Sequence, residues 1–215
     1  MKSLLRRVFW PLLPFVLLVA QTATGLFFLR PATTLACALA FLFNSCTPRR
    51  GIVVAGLLVS LVADVVLGHS HGRTEWFLCG LSLFLVAHLL LIAFCLSHGR
   101  PRPVVAVFIL IPLLLFYVLM LRPGIDAPAM RCGVLAYTMV TGLSLSAAWG
   151  LKPTGSLLHV LFLLGILSLA FSDTLIALRL FCGIRGIYFL MLPTYLLSHC
   201  LVALALETEK GSTEV

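Results

Sequence analysis

Long apolar runs, separated by short turns rich in Pro, Gly and Arg, constrain this chain more than any single motif. A helix needs about 20 mostly apolar residues to cross a bilayer. Such runs fall at about 8–29, 32–46, 51–68, 76–97, 104–121, 129–149, 156–181 and 187–206. The second is short, and Arg30 is placed to snorkel and extend it. The rest of the composition agrees. Hydrophobic residues make up 61% of the 215 and charged residues 10%, and the mean hydropathy is +1.15. A soluble domain is roughly 45–50% apolar. The fold class predicted is all-α: a polytopic bundle of about eight transmembrane helices, with residues 1–215 forming one membrane domain.

The turns carry the charge. The formal net charge is +8, but the bases are scattered through short loops, as flanks facing anionic headgroups are. No polybasic run with interleaved aromatics points to nucleic acid. The first run follows Lys2, Arg6 and Arg7 and is long enough to span, so it reads as an uncleaved helix rather than a signal peptide. Pro11 and Pro14 sit in its first turns, where proline does least harm. Pro112 is expected to kink the fifth helix. With both termini cytoplasmic, the inner side holds Lys2, Arg6, Arg7, Arg49, Arg50, Arg100, Arg102, Lys152 and Lys210. That is nine of the 15 basic residues, a modest excess in favour of that orientation. The membrane itself is left open between a bacterial inner membrane and a eukaryotic endomembrane.

Two carboxylates interrupt the apolar runs. Asp64 lies in 51–68 and Asp173 in 156–181; the other five acidic residues fall in loops or in the tail. An ionised Asp at the bilayer centre costs about 3 kcal/mol. A chain that bears this twice is expected to use both groups. The plainer alternative is a pair of structural polar contacts between helices.

Three histidines also fall within spans: His88, His159 and His199. The chain divides at His98-Gly-Arg-Pro-Arg-Pro103 into two four-helix halves. Each half carries Asp on its third helix and His on its fourth, which predicts a 4+4 parallel internal repeat. Asp64 sits roughly 6 Å and Asp173 roughly 12 Å from the ends of their helices on the α-helical rise. Both therefore lie toward one leaflet. Ser60 and Ser172 are placed to hydrogen-bond into a shared site, and Tyr195 shares a helix face with His199. His159, nearer the opposite side, reads as structural.

Two carboxylates in one low-dielectric pocket cannot both hold a charge cheaply. One protonated acid beside one carboxylate is a general acid and base pair. That pair suits cleavage through a transition state resembling an oxocarbenium ion. No GxSxG, HExxH, P-loop or dinucleotide fingerprint occurs. His69 and His71 lack a third ligand, so neither a metal nor a cofactor is expected. The seven cysteines form no CxxC pair and read as small packing residues.

Four segments together resemble the YhhN family of membrane proteins, the lysoplasmalogenases. Gly56 to Asp64, with Ser60, is similar to its S-x-x-G-D segment. Gly80 to His88 is similar to its G-x-x-x-F-x-x-A-H segment. Gly165 to Ala177 is similar to G-A-x-x-F-x-x-S-D-x-x-x-A, and Thr194-Tyr195 to Val202 to a closing T-Y-x-x-A-Q-x-L-I. Ala63 stands in place of the family's Gly, His199 in place of Gln, and Arg30-Pro31 in place of Lys-Pro. The resemblance implies hydrolysis of the vinyl-ether bond of a lysoplasmalogen, a lysophospholipid held in membrane lipid, to a fatty aldehyde and glycerophospho-ethanolamine or -choline. It implies Asp64 and Asp173 as catalytic residues, without saying which is the acid. Arg30, Ser60, His88, Ser172, Tyr195 and His199 are the expected substrate-binding residues, with Arg30 at the phosphate. A proton-coupled transporter or flippase using the same Asp and His residues as a relay is the competing expectation. A non-catalytic lipid-binding protein is the third.

Overall fold

The computed structural model describes residues 33–39, 48–70, 72–152 and 155–208, with isolated helical positions between 13 and 24. The span expected at 8–29, most of that at 32–46, and Arg30 between them lie outside the described residues; 33–39 are helical. Six α-helices follow: α1 (Pro48–Gly68), α2 (Thr74–His98), α3 (Pro103–Phe116), α4 (Pro128–Trp149), α5 (Leu157–Cys182) and α6 (Met191–Thr208). Among the described residues no strand occurs. Among the described residues, five segments are long and apolar enough to cross a membrane: α1, α2, α4, α5, and α3 with its continuation to Gly124. The chain is a multi-pass α-helical membrane protein.

Local chemistry sets the helix ends. Prolines open α1, α3 and α4, where the missing N–H costs nothing. Ser156 caps α5, its Oγ accepting from the His159 N–H at 3.2 Å. Gly183 closes α5 in the left-handed conformation, φ 72°, which only glycine adopts without strain. The expected kink at Pro112 takes another form. The chain stays helical through the proline, then widens to a π-turn at Tyr117–Leu121 and tightens to a 3₁₀ turn at Arg122–Gly124. The last span begins with a 3₁₀ turn at Tyr188–Leu190, so its α-helix starts four residues later than the apolar run suggests.

The helices pack as neighbouring pairs: α1 on α2, α3 on α4, α5 on α6. α4 joins them by also packing on α2 and α5. Small residues bring α5 and α6 close: a Cβ on Gly165 would stand 2.8 Å from Val202 Cγ2 and 3.1 Å from the Ser198 carbonyl. Gly56 makes the looser counterpart in α1, facing the Ala87 carbonyl of α2 at 3.6 Å. The main core runs through α1, α2, α4, α5 and α6, with Phe94, Phe162, Ile166 and Leu196 fully enclosed. A smaller cluster of Tyr117, Leu121, Ile125 and Val134 seals the π-turn against the end of α5. Tyr117 Oη donates to the Arg131 carbonyl at 2.9 Å, and Arg131 Nε to the Ile125 carbonyl at 2.7 Å.

Candidate active site

An apolar cavity opens among α2, α3, α4, α5 and α6, with Leu67 of α1 also in its wall. Leu81, Phe84, Leu113, Phe116, Ala177 and Phe181 form much of its wall. Its polar edge is small: Tyr137, Thr138 and Thr141 from α4, Ser172, Asp173 and Thr174 from α5, and Tyr195 from α6.

Asp173 sits at this edge, its side chain 15% exposed. Tyr137 Oη donates to Asp173 Oδ2 at 2.9 Å. His88 Nε2 lies 3.1 Å from Tyr137 Oη and 3.5 Å from Asp173 Oδ2. The His88 and Tyr137 rings meet edge to face, with centroids 5.4 Å apart. Burial makes these contacts count, because a polar group removed from water must find a partner in the protein.

Asp64 occupies a second polar pair. It is buried, and its Oδ2 accepts from Tyr195 Oη at 2.9 Å. Tyr195 lines the cavity and Asp64 does not, so Asp64 is linked to the cavity through that hydroxyl. Tyr195 packs edge to face on Phe84, centroids 6.0 Å apart, and on His199 at 4.5 Å. His199 Nδ1 lies 3.0 Å from the Tyr195 carbonyl.

The expected residues thus separate. Asp173, Ser172 and Tyr195 reach the cavity wall; His88 joins Asp173 from behind, and Asp64 joins Tyr195. Ser172 spends its proton on the Met191 carbonyl, 2.9 Å away, tying α5 to the start of α6. Ser60 is buried on α1, off the cavity wall. Arg30 is outside the described residues. His159 is held at the α5 start, where its Nδ1 accepts from the Gly155 N–H at 3.0 Å. Among the described residues no three His, Cys, Asp or Glu side chains group as metal ligands.

Tyr137 is the site residue the sequence did not single out. Its signal was a tyrosine in the middle of a span, far from the interface where such rings usually lie. A half-buried phenol there still needs a hydrogen-bond partner.

Fold and site together define a multi-pass helical membrane protein with acidic side chains held by tyrosines beside an apolar cavity. Comparison with protein families then gives the assignment: the model of the YhhN family matches residues 25–206. The chain belongs to the YhhN family. Neither the curated proteins nor the solved structures contain a match to it.

Proposed function

We propose that the chain is an intramembrane hydrolase that cleaves the vinyl ether of a lysoplasmalogen. The observation that carries this reading is a carboxylic residue, Asp173, at the polar edge of a cavity otherwise walled by apolar side chains. A single alkenyl chain fits the wall, and the ether then lies at the edge. Asp173 is the acid. It delivers a proton to the vinyl carbon, and the oxygen lone pair stabilises the oxocarbenium that forms. Water adds to that cation, and its spare proton returns to the Asp173 carboxylate. The hemiacetal breaks its C–O bond to the glycerol oxygen, with its hydroxyl proton passing to that oxygen. The products are a fatty aldehyde and the glycerophospho-alcohol. Asp64 fixes the Tyr195 hydroxyl at the cavity wall, giving the developing charge an oriented dipole. Arg30 is assigned to the phosphate.

The proposed 4+4 repeat rationalises the pairing. Gly165 and Asp173 follow Gly56 and Asp64 by 109 residues, and Ser198 and His199 follow Ala87 and His88 by 111. Gly56 faces Ala87, and Gly165 faces Ser198. In support, the polar contacts cross between halves: His88 of the first meets Asp173 of the second, and Tyr195 of the second meets Asp64 of the first.

The test is aldehyde release from lysoplasmalogen by the purified protein. Asp173→Asn should lower the rate at least about 100-fold, the low end of general acid catalysis, with the folded protein retained. Undiminished release in Asp173→Asn overturns the mechanism. Intact substrate crossing a vesicle membrane without aldehyde would favour the transporter instead.

A further inference from the structure

Tyr137 touches two ionisable groups at once. Its hydroxyl has one proton to give and lone pairs with which to receive. With Asp173 as a carboxylate, that proton goes to Oδ2 at 2.9 Å, and at the 3.1 Å contact with His88 Nε2 the histidine is then the donor. The direct approach of His88 to Asp173, 3.5 Å, is too long for a good hydrogen bond. The phenol joins the two. His88 is 1% exposed, and its Nδ1 is buried without a hydrogen-bond partner among the described residues. No second acceptor or donor among them therefore draws the ring away from Tyr137.

Two arrangements share these heavy-atom positions. In one, Asp173 is a carboxylate and His88 an imidazolium. In the other, both are neutral: the Asp173 O–H donates to Tyr137, and Tyr137 donates to Nε2. Nδ1 keeps its hydrogen in both, so the ring need not change tautomer. The two carry the same number of protons and differ in charge separation. A charge pair out of water is costly, and a neutral pair is not. Asp173 is the member of the pair that faces the cavity, so its surroundings change when an apolar chain replaces water there.

We propose that Tyr137 is a proton bridge that arms Asp173 when an apolar chain fills the cavity. The His88 Nε2–H bond breaks as a Tyr137 O–H bond forms, and the former Tyr137 O–H bond breaks as the Asp173 O–H bond forms. Imidazolium and carboxylate become imidazole and carboxylic acid, with no proton from outside. When the product leaves and water returns, the protons move back. The acid is thus present with substrate bound and absent otherwise. This rests on the hydrolase reading for its purpose, but not for its measurement.

The test uses a saturated 1-O-alkyl lysophospholipid, which has no vinyl bond to cleave, and infrared difference spectroscopy of the full chain in nanodiscs. Adding the ligand to the wild type should raise a protonated-carboxyl C=O band that Asp173→Asn lacks. Tyr137→Phe, checked for monodispersity and for binding of the same ligand, should lose the band. His88→Gln, which keeps the Tyr137 to Asp173 hydrogen bond but removes the stored proton, should lose it too and decides the matter if Tyr137→Phe does not fold. With lysoplasmalogen, Tyr137→Phe should lower kcat about 100-fold, the scale of acid–base catalysis, with KM within about twofold. A band of full size in Tyr137→Phe or His88→Gln, or none in the wild type, overturns the bridge. A ligand-induced band without aldehyde release would sink the hydrolase reading and leave the bridge standing.

Discussion

At the scale of single residues, the Tyr195 to Asp64 hydrogen bond, 2.9 Å long and buried, links α6 to α1 across the bundle. Hydrogen bonds to charged groups contribute about 1.5–3 kcal/mol. Tyr195→Phe should lower thermal stability in detergent, and so should Asp64→Leu, which removes the acceptor that Asn would keep. Their double-mutant cycle should show a coupling of about 1.5–3 kcal/mol; strictly additive losses would mean the pair is a neighbourhood and not a bond. The carboxylates at this site were legible in the sequence because polar groups in apolar runs announce themselves. Their partners were only half legible. Tyr195 stood one turn from His199 and was found; Tyr137 stood in α4 beside Thr138 and Thr141, with no charged residue or histidine within a turn to mark it. Spacing along a helix also cannot say which helix lies opposite, so the crossed pairing of His88 with Asp173 and Tyr195 with Asp64 had to come from tertiary packing.

At the scale of elements, three glycines separate a close approach from an idle one. A Cβ at Gly165 meets Val202 at 2.8 Å and the Ser198 carbonyl at 3.1 Å, whereas one at Gly56 meets its nearest neighbour at 3.6 Å. Overpacking costs about 1–3 kcal/mol. Gly165→Ala should therefore lower the melting temperature and Gly56→Ala should leave it nearly unchanged, as read by thermal unfolding in one detergent. At Gly124 a Cβ would land on the Phe181 carbonyl, a backbone atom that cannot rotate away, so Gly124→Ala should be the worst of the three. The six described helices from Pro48 onward were plain from apolar length, and most of their boundaries fell within a few residues. The exceptions are instructive. Pro112 marked an irregularity, but the π-turn lies five residues beyond it, where Tyr117 and Leu121 turn into the smaller core. The late start of α6 follows from a 3₁₀ turn that hydropathy does not register.

At the scale of the whole molecule, the proposed orientation acquires a consequence. Residues that line one end of the cavity sit at the end of α1 (Leu67), the start of α2 (Phe77) and the end of α5 (Leu180, Phe181). These ends share one side of the membrane. In the proposed orientation, with nine of the 15 Lys and Arg on the cytoplasmic side, the cavity would belong to the opposite leaflet. Its amphiphile is then drawn from that leaflet, with the headgroup on the side away from the termini. Short-loop Lys and Arg set orientation, so the expectation is checkable without any substrate. In a background without cysteine, Ser70→Cys lies in the turn after α1 and Ser212→Cys in the tail. A membrane-impermeant maleimide added to sealed vesicles should label Ser70→Cys only from the non-cytoplasmic face and Ser212→Cys only from the cytoplasmic face. The reverse pattern would move the cavity, and its supply of amphiphile, to the cytoplasmic leaflet. Labelling of both from one face would mean an even number of spans between them: α2 to α5 cross, and α6, shorter than the other spans, does not.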